Sequence, residues 1–185
     1  MMIFHASIQQ TLLKVARQSI NYGLENDHPQ LINAMDFEEP LRVEMATFVT
    51  LKTDGQLRGC IGTTRPISPL VTSINHNAWS AAYHDPRFAP LTEKEFEAVH
   101  ISISVLTPSS ALVFNTEQEL LQKLRPGTDG LIIEKQGQRA TFLPSVWELI
   151  PDKMTFLAHL KNKAGMKLTE IPDQAWTYQS IQIQE

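Results

Sequence analysis

The sequence predicts an α+β fold in which a mostly antiparallel sheet is packed with helices. Two hairpin patterns and several stretches of helical periodicity lead to this prediction. Hairpins join neighbouring strands in antiparallel fashion, and their mixture with helices is typical of α+β proteins. A chain of 185 residues, of which 42% are hydrophobic, is long enough to bury a substantial core.

The N-terminal part of the chain predicts a helix and then a polar connection. Ser7 is a candidate helix cap. Apolar residues recur after it at helical spacing, namely Ile8, Leu12, Val15, Ala16 and Ile20. The stretch 21–39 is acidic and rich in turn-forming residues, which indicates a surface connection.

A first hairpin is predicted around the single cysteine. The apolar, β-branched stretch 48–51 precedes an Asp-Gly turn at 54–55, and the returning strand contains Cys60. Gly59 and Gly62 weaken a regular strand. They therefore indicate a bulge, or another group that lies close to the backbone.

The middle of the chain predicts two helices and a strand. Pro66 and Pro69 introduce the first helix. Its apolar side consists of Leu70, Ile74, Ala78, Ala81 and Ala82. Thr92 and Glu95 have the spacing of a capping box for the second helix. In the stretch 101–105, apolar residues alternate with serine, which predicts a strand with one buried face.

The C-terminal part predicts a short helix, a second hairpin, a last helix and a closing strand. The short amphipathic helix covers 117–124, and the hairpin covers 130–143 with a Gln-Gly turn. The last helix ends at Gly165. Its apolar positions are Met154, Leu157, Leu160 and Ala164. Polar and apolar residues alternate over 176–183, which predicts a single closing strand.

The composition excludes several classes of function. A net charge of −4 disfavours a nucleic-acid partner, which requires a concentrated basic surface. One cysteine excludes an internal disulfide and a Cys-rich zinc site. No apolar stretch approaches the roughly 20 residues that cross a bilayer. We therefore expect a soluble cytoplasmic protein that does not act at a membrane.

No metal site and no cofactor are predicted. His76 and His84 are the two histidines of one predicted helix. They lie roughly 12 Å apart along the helix axis, which is too far to share one ion.

Cys60 is the candidate catalytic residue. The thiolate is the reactive form of cysteine, and the nearby guanidinium of Arg58 favours it. On a regular strand the two side chains share one face. A Cys–His nucleophile also needs a histidine within hydrogen-bond reach, and sequence spacing selects none. The candidates are His76, His84, His100 and His159. The alternative is that Cys60 is a small apolar residue that fills space between two glycines.

Arg58, Gly59 and Gly62 are candidate ligand-binding residues. An arginine beside glycines offers a fork of donors for a carboxylate or phosphate, with backbone amides close by. The alternative is a surface arginine that pairs with an acidic residue of the same chain.

His84, Asp85 and Arg87 form a second candidate ligand-binding cluster. An imidazole, a carboxylate and a guanidinium occur within four residues at the predicted end of a helix. The alternative is a simple helix terminus, in which Asp85-Pro86 ends the helix and Arg87 complements its dipole.

The stretch LRGCIG at 57–62 resembles the signature of the AMMECR domain family, also called AmmeMemoRadiSam system protein A. Further segments resemble the same family in order along nearly the whole chain. They are AWSAAYHDPRFAPL at 78–91, ISISVL at 101–106, PGTDGLI at 126–132, ATFLPSVWE at 140–148 and FLAHLKNKAG at 156–165.

The resemblance implies one AMMECR-type domain, residues 1–185, with a larger lobe that carries the sheet and both termini. A smaller lobe is inserted into it. We expect the smaller lobe at about 65–96 and the larger lobe at about 1–64 and 97–185. The LRGCIG hairpin is expected near the groove between the lobes, since clefts between lobes are where ligands bind.

The resemblance also implies a component of a multiprotein modification system that acts with Memo-like and radical SAM partners. The residues favour a cleft around LRGCIG that binds or processes an anionic or carbonyl-containing ligand, either a small molecule or a peptide. The alternative is a non-catalytic protein-interaction module in which LRGCIG is a structural turn.

Overall fold

The structure is a computed structural model that describes residues 4–185, and it has the predicted α+β fold. The helices are α1 (Ala6–Gly23), α2 (Glu39–Arg42), α3 (Leu70–Tyr83), α4 (Glu93–Ala98), α5 (Glu117–Lys123) and α6 (Lys153–Ala164). The strands are β1 (Thr47–Thr53), β2 (Gln56–Gly62), β3 (His100–Leu106), β4 (Ser110–Leu112), β5 (Gly130–Lys135), β6 (Gln138–Phe142), β7 (Gln174–Tyr178) and β8 (Ser180–Gln184). Within residues 4–185, no helix combines the length and apolar character that a membrane span requires.

The chain forms two compact units. The first comprises residues up to Leu106 together with 181–185, and the second is Thr107–Ser180. The second unit is thus inserted into the first in the sequence. This division differs from the expected lobe boundaries, because the segment 65–96 lies within the first unit. The helix α3 in that segment contributes the fully buried Leu70 and Ile74 to the core of the first unit.

In the first unit, α1 and α3 pack on one face of a four-stranded sheet with the strand order β2-β1-β3-β8. The strand β1 pairs in antiparallel fashion with both β2 and β3. The predicted strand β3 is confirmed, and Ile101 and Ile103 are buried in this core, but the predicted alternation holds only in part because Ser104 is buried as well. The helix α4 begins with the predicted capping box of Thr92 and Glu95.

In the second unit, α5 and α6 contribute to the core beside a sheet with the order β4-β7-β5-β6. The described pairings of this sheet are antiparallel. Trp147 stacks on Phe156 with ring centroids 3.6 Å apart, and its indole N–H donates to the carbonyl oxygen of Asp129 at 2.7 Å. The predicted end of the last helix is confirmed, because Gly165 adopts the left-handed conformation at the cap of α6.

Three sequence-based predictions of secondary structure were wrong at least in part. The helix α1 begins at Ala6 with His5 at the N-cap position, so Ser7 is not its cap. The single closing strand predicted at 176–183 is two strands, β7 and β8, which belong to different sheets. Alternation of polar and apolar residues continues across both strands, so it does not reveal where the chain leaves one sheet for the other. The connection 21–39 is less irregular than predicted, because α1 continues to Gly23 and α2 begins at Glu39.

Candidate functional site

The LRGCIG stretch forms β2, an edge strand that contains a β-bulge. Leu51 of β1 pairs with Gly59, whereas the next residue, Lys52, pairs with Leu57. Arg58 is therefore the extra residue of the bulge. A bulge interrupts the alternation of side chains and re-aims the extra residue. This confirms the irregularity that the two glycines indicated, and it removes the premise that Arg58 and Cys60 share one face of a regular strand.

The Arg58 side chain is bound within the chain. Its Nε donates to Glu95 Oε1 at 2.8 Å, and its Nη2 donates to Glu95 Oε2 at 3.2 Å and to the carbonyl oxygen of Ala89 at 2.9 Å. The side chain is only 13% exposed, and its buried Nη1 has no hydrogen-bond partner within residues 4–185. The pairing with Glu95 is the arrangement that the alternative interpretation of Arg58 described.

The two glycines of the stretch lie against the protein's own backbone. A Cβ atom at Gly59 would come within 2.1 Å of the carbonyl oxygen of Ala81 in α3. A Cβ atom at Gly62 would come within 2.2 Å of the carbonyl oxygen of Thr47 in β1. The predicted close approach to the backbone is thus confirmed, and the approaching group at both positions belongs to the chain itself.

Asp85 and Arg87 bind the outer edge of β2 at Cys60. The amide of Cys60 donates to Asp85 Oδ2 at 2.8 Å, and Arg87 Nη2 donates to the carbonyl oxygen of Cys60 at 3.3 Å. Arg87 also donates to both oxygens of Asp85, from Nε at 2.9 Å and from Nη2 at 2.6 Å. We call this pair the Asp85–Arg87 clamp. It offers an acceptor and a donor to the edge, as a neighbouring strand would.

A turn after α3 brings the clamp into position. The helix ends at Tyr83, and the amide of Phe88 then donates to the carbonyl oxygen of Asp85 at 3.1 Å. Pro86 disfavours continuation of the helix, as predicted for this Asp-Pro pair. The Asp85 side chain is 2% exposed, whereas that of Arg87 is 54% exposed.

The carboxylates of Asp85 and Glu95, which contact Arg87 and Arg58, are held in their charged form. The Arg87 side chain holds the pKa of Asp85 well below its ordinary range, and the amides of Cys60 and Arg87 lower it further, against the opposing effect of burial. Arg58 and the backbone amide of Thr92 lower the pKa of Glu95 to about 2. At neutral pH the region therefore contains two carboxylate–guanidinium pairs.

The Cys60 thiol has one hydrogen-bond partner within residues 4–185. Thr50 lies opposite Cys60 in the β1–β2 ladder, and its Oγ1 donates to Cys60 Sγ at 3.3 Å. The thiol is partly buried. None of the candidate histidines hydrogen-bonds to it in the described part of the chain, so the structure contains no Cys–His pair of the kind that activates a nucleophile.

His84 points to a different environment from Asp85 and Arg87. Its imidazole packs against the indole of Trp79, with centroids 4.2 Å apart and planes inclined by 41°. It lines a surface cavity of about 400 Å³ together with Trp79 and Tyr83. The structure thus brings Asp85 and Arg87 to Cys60, and it places His84 at another site.

The ring of Phe88 lies close to both guanidinium groups. The Arg58 Cζ is 5.8 Å and the Arg87 Cζ is 5.5 Å from the centre of its ring, within the range of cation–π attraction. These contacts with Phe88 help to hold the side chains of Arg58 and Arg87 in one conformation. Among residues 4–185, no three His, Cys, Asp or Glu side chains come together as potential metal ligands.

Sequence reasoning missed Thr50 and Glu95 as partners of the LRGCIG strand. The contact of Thr50 with Cys60 depends on the ladder register, which a bulge shifts. Glu95 is 37 residues from Arg58. Its place in the capping box was the only sequence signal that its carboxylate is oriented by neighbours.

Comparisons with known proteins agree with this fold. A sequence model of the AMMECR1 family matches residues 13–185. Protein NEQ441 of Nanoarchaeum equitans is 36% identical over 163 residues, which cover 85% of this chain and 87% of that protein. Protein MJ0810 of Methanocaldococcus jannaschii is 39% identical over 150 residues, or 80% of this chain and 72% of that protein.

A solved structure is also similar. The crystal structure of the uncharacterized protein PH0010 from Pyrococcus horikoshii matches with a TM-score of 0.84 and 31% sequence identity. The match covers 94% of this chain and 89% of that one. These matches confirm the resemblance seen in the sequence, and the chain belongs to the AMMECR1 family.

Proposed function

We propose that this chain is a non-catalytic binding component of a multiprotein modification system, and that its LRGCIG strand is a structural framework. The observation that carries the proposal is the set of contacts made by the charged groups around Cys60. Arg58 is bound to Glu95, and Asp85 and Arg87 are bound to each other and to the backbone of Cys60. These contacts stabilise the edge strand. They explain why charged groups surround Cys60 without requiring a reaction at the thiol.

The partners we propose are a Memo-like protein and a radical SAM protein, in the cytoplasm. The support for these partners is the family to which the chain belongs. A rigid edge strand and its clamp suit a protein that presents a constant surface to others, because pre-organised surfaces lose less conformational entropy on binding.

The experiment is a reconstitution with the purified Memo-like and radical SAM proteins of the same organism. We expect at least one of them to form a stable complex with this chain, detected by size-exclusion chromatography with light scattering. Cys60→Ala removes the thiol and leaves the clamp, which binds the backbone, in place. We expect the affinity of this variant to stay within about threefold of wild type.

Two outcomes would contradict the proposal. The first is the absence of a complex with either partner. The second is a modification activity of the assembled system that is lost in Cys60→Ala and also in the nearly isosteric Cys60→Ser, since both variants keep the clamp.

A second candidate function is suggested by one specific observation at Arg87. Its side chain is 54% exposed, and its Nη1 makes no hydrogen bond within residues 4–185. This free donor, next to Cys60, is suited to an anionic or carbonyl group of a ligand, which the thiol would then contact.

Titration with inorganic phosphate tests this second candidate. Binding is followed by the amide NMR signals of Cys60 and Arg87. Arg87→Lys keeps a positive charge beside Asp85 but lacks the planar fork, and we expect it to weaken phosphate binding by about fivefold or more. Equal phosphate affinity in wild type and Arg87→Lys would exclude Arg87 as the anion site.

A further inference from the structure

Two adjoining cavities lie in the first unit, and neither lining includes a residue of the LRGCIG strand. The first, which we call the aromatic cavity, has a volume of about 400 Å³ and is lined by Trp79, Tyr83 and His84. The second, which we call the polar cavity, has a volume of about 620 Å³ and includes Glu93 in its lining. Both cavities are lined by Leu24, Glu25, Asn26 and Leu91.

The aromatic cavity has a rigid wall. Tyr83 Oη donates to the carbonyl oxygen of Ile20 at 2.7 Å, and burial raises the pKa of Tyr83 to about 12, so the phenol keeps the proton that makes this bond. The rings of Trp79 and Tyr83 pack closely against Gly23 at the end of α1. A Cβ atom at Gly23 would lie 2.7 Å from Trp79 Cδ1 and 2.4 Å from Tyr83 Cε2, so no side chain fits there without movement of the rings. The imidazole of His84 packs against the same indole, with ring centroids 4.2 Å apart.

The charged side chains of both cavities are all acidic. Glu25 belongs to both cavities, Asp27 to the aromatic cavity and Glu93 to the polar cavity, and neither lining contains a lysine or an arginine. Within residues 4–185 these three carboxylates form no ion pair, in contrast to Glu95, which is bound by Arg58. Their negative charge is therefore available to a cationic ligand.

Apolar side chains line the same cavities as the carboxylates. Leu24 and Leu91 are common to the two cavities, and the aromatic residues Trp79 and Tyr83 line one of them. Aromatic faces attract organic ammonium groups, and leucine side chains favour contact with methylene groups. A small hydrated metal ion gains nothing from these apolar groups. The combination instead matches a ligand in which ammonium groups alternate with short alkyl segments.

We propose that the two cavities together bind a linear polyamine. One ammonium group lies by the aromatic wall near Asp27, and a second lies near Glu93. Glu25, which lines both cavities, pairs with an ammonium group where the two cavities meet. The alkyl segments contact Leu24 and Leu91. Binding at this site involves neither Cys60 nor the Asp85–Arg87 clamp.

The test uses the full chain and spermidine as the probe, with calorimetry for affinity and NMR for location. The chain has three tryptophans. Two of them, Trp147 and Trp176, belong to the second unit and are internal controls. We expect saturable binding, with a shift of the Trp79 indole N–H signal and unchanged signals for the other two. Trp79→Phe identifies the signal of Trp79.

Charge-neutralising variants establish the contribution of each carboxylate. We expect Glu25→Gln to weaken spermidine binding by about fivefold, as removal of one carboxylate–ammonium pair predicts. Glu148→Gln is the matched control, because Glu148 is an exposed acid of the second unit outside both cavities. This control makes the same change in net charge and should leave the affinity unchanged.

Outcomes of three kinds would overturn the proposal. One is the absence of saturable binding at millimolar spermidine. Another is equal weakening by Glu25→Gln and Glu148→Gln, or an equal affinity for Mg²⁺, either of which would show diffuse attraction to an acidic protein. The third is binding of a lysine-rich peptide at these cavities without binding of spermidine, which would assign them to a protein segment instead. None of these outcomes bears on the reconstitution with protein partners.

Discussion

The amide of Cys60 donates a 2.8 Å hydrogen bond to Oδ2 of Asp85, a carboxylate that lies 25 residues further along the chain. This bond is made at the open edge of the sheet, where a strand would otherwise leave its backbone unpaired. Arg87 completes the contact through the carbonyl oxygen of the same cysteine. The residue that the sequence singles out for its thiol is thus held through its backbone.

Removal of the Asp85 carboxylate should destabilise the first unit. Asp85→Ala leaves the amide of Cys60 without its acceptor and the guanidinium of Arg87 without its partner. We expect a loss of about 2 kcal/mol in the free energy of unfolding, measured by urea denaturation. The matched control is Asp173→Ala, whose carboxylate is 54% exposed and pairs with Lys135. This control should lower the free energy of unfolding by about 0.5 kcal/mol or less. Similar losses in both variants would show that the Asp85–Arg87 clamp stabilises the fold no more than an exposed ion pair does.

The Arg58–Glu95 pair should make stability depend on acid pH. The pKa of Glu95 is lowered from 4.5 to about 2 in the folded state. The pair therefore contributes its full stabilisation at pH values above the unfolded-state pKa of 4.5. This contribution is lost as the pH falls through the interval between those two values, since the unfolded chain then binds the proton more readily. We expect the thermal midpoint of wild type to fall more steeply across this interval than that of Glu95→Gln. Parallel curves for the two proteins would contradict the assignment.

Gly59 should tolerate no larger residue. In Gly59→Ala the added methyl group would meet the backbone carbonyl of Ala81 at 2.1 Å, and a helix backbone cannot move aside as a flexible side chain can. We expect a loss of about 3 kcal/mol or failure to fold, as for severe overpacking. Gly137→Ala is the control, because nothing lies within 4 Å of its Cβ position and only its positive φ of 84° opposes the change. Its expected cost is about 1 kcal/mol, so equal losses in the two variants would contradict the packing role of Gly59.

Much of the fold is predictable from the sequence, because local chemistry decides it. The Asp-Gly and Gln-Gly turns fall where the sequence predicts hairpins, with positive φ at Asp54, Gly55, Gln136 and Gly137. The capping box at Thr92 and the cap at Gly165 are equally local. The single closing strand was predicted wrongly because the choice between two sheets depends on distant strands.

The candidate site is less predictable than the fold. The sequence identifies Cys60, Arg58, Asp85 and Arg87, but their partners depend on contacts between distant segments. The bulge orients the Arg58 side chain so that it pairs with Glu95. The turn after α3 places the Asp85 carboxylate within hydrogen-bond distance of the Cys60 amide. Neither contact has a periodic signal in the sequence. The separation of His84 from this cluster depends in the same way on the packing of Trp79.

The measurement that tests the account most directly is the alkylation rate of Cys60 in the native protein compared with the urea-unfolded chain at neutral pH. The thiol is partly buried, contacts Thr50 and has no histidine partner within residues 4–185. We therefore predict that the native thiol reacts more slowly, by about tenfold or more, as expected for a structural cysteine. A native thiol that reacts faster than the unfolded one would reveal activation by its surroundings, and it would contradict the structural role assigned to the LRGCIG strand.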